Sequence, residues 1–212
     1  MPRAHLVRWW FAQNAGIITV ELQTSDGERK TFRLDLTVFD HLQLDTGAVI
    51  SDDVFAALER TDRALNFVGR LKRFLTYRMR ASGEVAKRLH TLGATDGDIR
   101  AVIDLLHRSG TIDDERFARA YVRDAVQLKK LSARAIRTRL RALGIAEAIV
   151  DEAIAAEYPS AEEEERARDL ATKALRRNAN LPVEQRARRA RDYLLRRGFP
   201  PDIVRRVLRS LT

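Results

Sequence analysis

The chain has 212 residues, 39 Lys or Arg against 30 Asp or Glu for a net charge of +9, a 45% hydrophobic content and no cysteine. Its length suits one or two domains, and the missing cysteines exclude thiol catalysis, thiolate metal sites and disulfides, in keeping with a reducing compartment. No run approaches the roughly 20 apolar residues that span a bilayer.

At the N-terminus, Trp9, Trp10 and Phe11 are broken off by Gln13 and Asn14, so the signal-peptide pattern of apolar core and cleavage site is missing and a cytoplasmic protein is expected. Packing over an apolar face is the favoured fate of the three aromatics, with an exposed stacking platform for nucleic acid as the other. Residues 15 to 36 read as a β-hairpin. Ile18, Val20 and Leu22 alternate with polar residues, Asp26-Gly27 makes the tight turn, and Phe32, Leu34 and Leu36 resume the alternation. Val38, Leu42, Leu44 and the segment from Thr46 to Ile50 are expected to add a third extended piece or a packing loop. Residues 1–50 thus form a small N-terminal β-hairpin region.

From Ser51 the pattern is helical. Ser51 with Asp52 and Asp53 starts a helix carried by Val54, Phe55 and Leu58; a second run from Ala64 holds Leu65, Val68, Leu71 and Leu75 until Ser82 and Gly83 break it. A helix then ends at Gly93, and Thr95 with Asp98 opens another with a capping box. Thr111, with Asp113, Asp114 and Glu115, supplies a capping hydroxyl and negative charge for the next helix, which places Phe117, Tyr121 and Val122 on one face. After a basic joint from Gln127 to Leu131, Ser132 caps a helix with the stripe Ile136, Leu140 and Leu143, stopped by Gly144. Glu157-Tyr158-Pro159 reads as a linker. Ser160 with Glu163 restarts the chain as a capping box, Asn178 to Pro182 is a break, and Pro200-Pro201 falls in the first turn of the terminal helix.

The helices repeat. When Gly93, Gly144 and Gly198 are superposed, Leu89, Leu140 and Leu194 stand four residues before them and Val85, Ile136 and Ala190 eight before. Six residues after come Ile99, Val150 and Val204; nine after, Val102, Ala153 and Val207; ten after, Ile103, Ile154 and Leu208. These offsets define helix faces on both sides of a glycine stop. Self-similarity at about fifty residues predicts a mainly α protein of tandem three-helix repeats in an elongated array, each too small to bury its own core. The first repeat with its lead-in helix takes residues 51–108, the second 109–158 and the third 159–212.

Charge follows the repeats. Residues 1–60 carry six basic and nine acidic residues, whereas from Arg166 onward there are fourteen basic residues and four acidic ones. Arg134, Arg137 and Arg141 form one stripe, approached by Lys130; Arg186, Arg189, Arg196 and Arg197 surround the apolar strip of the third repeat. A solvated face explains any single stripe. The shortage of carboxylates past Arg166 points instead to contact with nucleic acid or an acidic protein surface, and arginine suits bidentate contact with phosphate or carboxylate. Arg197 stands where the other repeats have Leu92 and Leu143, which suggests an end-of-array face. No phosphate-binding glycine loop, His-Glu-x-x-His or Gly-x-Ser-x-Gly is present. His5, His41, His90 and His107 are isolated, and capping explains Asp113 and Asp114 without a metal. A non-enzymatic protein with no cofactor and no metal is expected.

The run Gly110-Thr-Ile-Asp-Asp-Glu-Arg-Phe-Ala-Arg-Ala-Tyr-Val122, the downstream Arg-Ala-Leu-Gly-Ile ending at Ile145, the segment Ser82 to Gly93 and the closing Tyr193-Leu-Leu-Arg-Arg-Gly-Phe199 resemble the signature of the RecX family of recombinase regulators. The resemblance covers about residues 60 to 212 and is carried in its middle by Asp113, Asp114, Phe117, Ala118, Tyr121 and Gly144 as structural positions. It implies a monomer that binds the RecA filament on DNA and restrains its ATP hydrolysis, strand exchange and coprotease activity in DNA repair and the SOS response. The arginines named above, with Lys130, are then the expected partner or nucleic-acid contacts. The alternatives are a free-standing basic DNA-binding protein of helix-turn-helix type and a nuclease with Asp113 and Asp114 on a metal.

Overall fold

The computed structural model describes residues 4–12 and 16–211, so the expected hairpin start at residue 15 and the Gln13-Asn14 break lie outside the described residues. The chain divides into two compact units, residues 1–79 with 85–112 and residues 80–84 with 113–212.

The first unit opens with strands β1 (Ala4–Phe11), β2 (Ile17–Thr24) and β3 (Arg29–Asp35), helix α1 (Leu36–Leu42) and the short β4 (Val49–Ile50), in a sheet ordered β3-β2-β1-β4 with all pairs antiparallel. The β2–β3 hairpin turns at Asp26-Gly27 as its sequence requires, with Gly27 at φ 84. Its alternation is borne out by Ile18, Val20, Leu22 and Leu34, all at most 1% exposed, but not by Leu36, which opens helix α1 and is 41% exposed. The hairpin is not alone, however. β1 pairs along its full length with β2 through a register shift between Leu6 and Arg8, and the segment expected to be a third extended piece supplies β4 and the single α1.

The aromatic run does not cover the core. Trp9, Trp10 and Phe11 are 40%, 39% and 64% exposed, because the aliphatic side chains of Ala4 and Leu6 already fill the core side of β1 before the shift. Trp9 packs against Phe39 and Phe11, and the Arg8 guanidinium lies 5.2 Å from the Trp10 ring.

Helix α2 (Asp52–Tyr77) is one helix where two runs are expected, since Glu59 to Arg63 contains no breaker. Ser51 caps it through Val54 N–H at 3.3 Å. Its stripe serves two cores in turn: Phe55 and Leu58 pack under the sheet, Ala64 and Leu71 in the cluster of α3 (Ser82–Thr91) and α4 (Asp96–Arg108). The break falls at Arg78–Ala81, and Ser82 begins α3 instead of ending α2. The Thr95–Asp98 capping box of α4 forms as expected.

The second unit holds α5 (Asp114–Gln127), α6 (Ala133–Ala142), α7 (Glu147–Glu157), a single 3-10 turn at Ser160–Glu162, α8 (Glu163–Arg177), α9 (Val183–Arg196) and α10 (Pro201–Arg209). The repeat equivalences hold in three dimensions. Leu89, Leu140 and Leu194 are fully buried, as are Val85, Ile136 and Ala190, and the three glycine stops share φ of 81 to 83. Beside α6, Leu143 is only half-buried and is the helix C-cap. Asp113, not Thr111, is the N-cap of α5, accepting Arg116 N–H at 2.9 Å, while the Thr111 hydroxyl pairs with that of Ser109.

One joint is built twice within this unit. Asp114, in the first turn of α5, accepts Ser82 N–H at 2.9 Å; Glu163, in the first turn of α8, accepts Ala133 N–H at 3.3 Å. Ser82 and Ala133 are equivalent positions, so each second helix has its free N-terminal amide satisfied by the first helix of the next repeat. The glycine stops then close in on the same turns. A Cβ on Gly144 would lie 2.7 Å from Gly83 Cα, and one on Gly198 2.6 Å from Ala135 Cβ. Only glycine combines a positive φ with that approach.

This joint also explains the missing capping box at Ser160. Glu163 is drawn away by two donors, Ala133 N–H and the Tyr158 hydroxyl at 2.8 Å, and α8 starts without a side-chain cap. Tyr158 is no loose linker residue but 5% exposed, with the Arg166 guanidinium 4.5 Å from its ring centre. Burial, then the bond to Glu163, pushes its phenol up to about 12. A neutral phenol is therefore favoured by folding, a contribution present below pH 10 and lost as pH rises through 12. Tyr158→Phe is expected to remove on the order of 2 kcal/mol of the stability loss between pH 10 and 12. Urea unfolding of both proteins at pH 9, 10.5 and 12 checks it; parallel declines would refute the buried-phenol account.

Candidate polyanion interface

Helix α6 is held by Ile136 and Leu140, so its remaining faces carry the arginines outward. Arg134, Arg137 and Arg141 share one flank, but two of them are taken up by α7. Arg137 meets Asp151 at 2.8 Å and Glu147 at 3.7 Å, and Arg141 forms a two-pronged hydrogen bond with Glu147. The Arg141 bond holds the Glu147 carboxyl below its ordinary range, and in return holds the guanidinium charged to higher pH. That flank is close to neutral. Arg134 is exposed with no ion-pair partner among the described residues, and Lys130 sits in the left-handed region at φ 52 in the joint before α6.

Arg139, two residues beyond Arg137, lies about 160° around the helix from it. It faces a groove of about 570 Å³ at the junction of the second and third repeats, lined by Leu128, Lys129, Leu131, Arg139, Tyr193, Arg196 and Arg197. The Arg197 guanidinium lies 4.8 Å from the Tyr193 ring centre, and the Arg197 carbonyl accepts Ser132 N–H at 3.1 Å. Arg197 therefore sits at a repeat junction and not at the end of an array. Among the described residues no carboxylate lines this groove.

Tyr193 and Arg196 also line a second groove, of about 840 Å³, between α8 and α9. Lys173, Arg176 and Arg177 stand on the α8 side, Arg189 on the α9 side with its guanidinium on Asn178 at 2.9 Å, and Leu170 and Ala174 complete the lining. Its one carboxylate, Asp192, is shared with Arg191 at 3.4 Å. Arg186 is half-buried and lines neither groove; its Nε is buried without a hydrogen-bond partner.

Eight cations thus converge on two adjoining grooves against a single carboxylate. Of the residues singled out in the sequence, Arg189, Arg196 and Arg197 are brought together; Lys130, Arg134, Arg137, Arg141 and Arg186 are not among the lining residues. Lys129, Arg139, Lys173, Arg176 and Arg177 were not anticipated. The offsets of three and four in Lys173, Arg176 and Arg177 are a readable stripe, whereas Arg139 and Lys129 join it only through folding. Asp113 and Asp114 are both occupied with helix amides, and no group of three or more His, Asp or Glu that could hold a metal occurs among the described residues. No described helix is long and apolar enough to cross a membrane.

The helical repeats match two family models, the second three-helix domain of RecX over residues 113–154 and the third over residues 162–208. Regulatory protein RecX of Geobacillus sp. (strain WCH70) is 31% identical over 198 residues, covering 93% of this chain and 73% of that protein. Its namesake from Geobacillus kaustophilus (strain HTA426) is 30% identical over 196 residues, 92% and 72% of the two chains. Among solved structures, the crystal structure of a regulatory protein RecX aligns with a TM-score of 0.69 at 24% identity, covering 96% of this chain and 98% of that one, a likeness of fold. With three equivalent helical modules, the signature residues at their joints and relatives that match across both units, this chain belongs to the RecX family.

Proposed function

We propose that this protein is a cytoplasmic, non-enzymatic regulator that binds the RecA recombinase filament on DNA as a monomer and lowers its ATPase, strand-exchange and coprotease activities, acting in DNA repair and the SOS response. The observation that carries the reading is the pair of adjoining grooves in which eight cations face one carboxylate. Such a surface has no internal partner for its charge and is matched by a polyanion or by acidic patches between filament subunits. Arg134 and Lys130, exposed on the same unit, belong to the proposed contact set with the groove residues.

The helix-turn-helix alternative needs α6 to present its arginine flank to a duplex. With Arg137 and Arg141 tied to Glu147 and Asp151, phosphates on that flank would meet carboxylates. Titration of the protein into recombinase hydrolysing ATP on single-stranded DNA tests the reading. The rate is expected to fall at less than one molecule per recombinase subunit, and an unchanged rate would overturn the proposal.

A further inference from the structure

We infer that the two adjoining grooves of the second unit hold the backbone of single-stranded nucleic acid, with the Tyr193–Arg197 stack as the platform for a base. This rests on the reading that the basic surface faces the filament, and it names the DNA strand, not a protein subunit, as what fills it.

Shape decides between one strand and two. The larger groove runs between α8 and α9, and packed helices have axes about 8–10 Å apart, so the trench between them is narrower than a duplex, whose major groove alone is roughly 12 Å wide. A single phosphodiester chain enters such a trench; a duplex can only lie across it. Tyr193 and Arg196 line both grooves, so the two meet at these side chains and the proposed strand passes from one to the other there.

Chemistry decides between nucleic acid and acidic peptide. The cations line both walls, Lys173, Arg176 and Arg177 on α8 facing Arg189 and Arg196 on α9, as suits a ligand with a charge at every unit. At the meeting point of the grooves stands a half-buried tyrosine ring with a guanidinium over it, the paired surface on which nucleobases stack whatever their sequence. Acidic peptides carry no flat ring at every residue to use it. The Arg137 and Arg141 flank of α6, neutralised by α7, takes no part.

Fluorescein-labelled oligo(dT) and a blunt duplex of the same length are titrated with the full chain over a range of salt, followed by anisotropy, with poly-glutamate as competitor. Oligo(dT) is expected to bind the more tightly of the two. Replacing Lys173, Arg176, Arg177 and Arg189 together by alanine should weaken it on the order of a hundredfold and flatten the salt slope by roughly 0.7 per cation. Tyr193→Leu should cost about tenfold with the slope unchanged. Asp192→Asn should tighten binding, a gain that misfolding cannot mimic.

Preference for the duplex, displacement by poly-glutamate at a lower charge concentration than by unlabelled oligo(dT), or an equal loss from Arg137→Ala with Arg141→Ala would each overturn the inference. Recombinase ATPase is measured with the same proteins. Inhibition without oligo(dT) binding removes this inference and leaves the filament reading standing, whereas binding without inhibition does the reverse.

Discussion

Gly144→Ala is expected to destabilise the second unit by about 3 kcal/mol. Two penalties coincide there. At φ 81 a Cβ costs about 1–2 kcal/mol from its clash with the backbone carbonyl. The same methyl would stand 2.7 Å from Gly83 Cα, a backbone atom that cannot swing aside, and overpacking of this kind costs about 1–3 kcal/mol.

Two companions separate the terms. Gly93 has the same φ with nothing within 4 Å of its absent Cβ, so Gly93→Ala isolates the conformational cost of about 1–2 kcal/mol. Gly83 is helical, and its Cβ would press on the Leu143 carbonyl, so Gly83→Ala isolates the contact, less the gain of about 1 kcal/mol from alanine in a helix. Urea unfolding at neutral pH ranks the three. Should Gly144→Ala cost no more than Gly93→Ala, the close backbone approach at the joint does not exist in solution.

Reversing charge at the meeting of the grooves is the second large effect. Arg139→Glu with Arg196→Glu should raise the concentration of protein needed for half-inhibition of recombinase ATPase on the order of a hundredfold, since each reversal removes a favourable contact and adds a repelling one. Both residues are exposed and make no ion pair among the described residues, so the circular dichroism spectrum and urea midpoint should hold. The matched control is Arg188→Glu with Arg205→Glu, exposed positions outside both grooves that change the net charge equally. Equal losses from the two pairs would show that net charge alone governs inhibition and would remove the grooves from the account.

The repeat was legible because it is written in local terms. A glycine stop, a leucine four before it and a valine or isoleucine six after it all report on backbone dihedrals and one helix face, and Gly144, Leu140 and Val150 were found as read. The hairpin was legible for the same reason, through its alternation and Asp26-Gly27. What escaped was decided by residues distant in sequence. Arg137 and Arg141 look free until α7 swings Glu147 and Asp151 beside them; Arg139 looks like solvent decoration until α9 supplies the other wall. The aromatic run of β1 misled because hydrophobicity alone says nothing about which end of a strand the core covers, and Glu163 broke its capping box for partners five residues upstream and thirty residues upstream.

The shared caps also bear on the order in which the molecule is made. Ala133 leaves the ribosome thirty residues ahead of the Glu163 carboxylate that its amide requires, and Ser82 thirty-two ahead of Asp114. During translation the first and second modules each lack this cap until the next module has begun to emerge. Pausing between modules would prolong exposure of a frayed helix, and a nascent chain released at such a pause would be open to proteolysis at that turn.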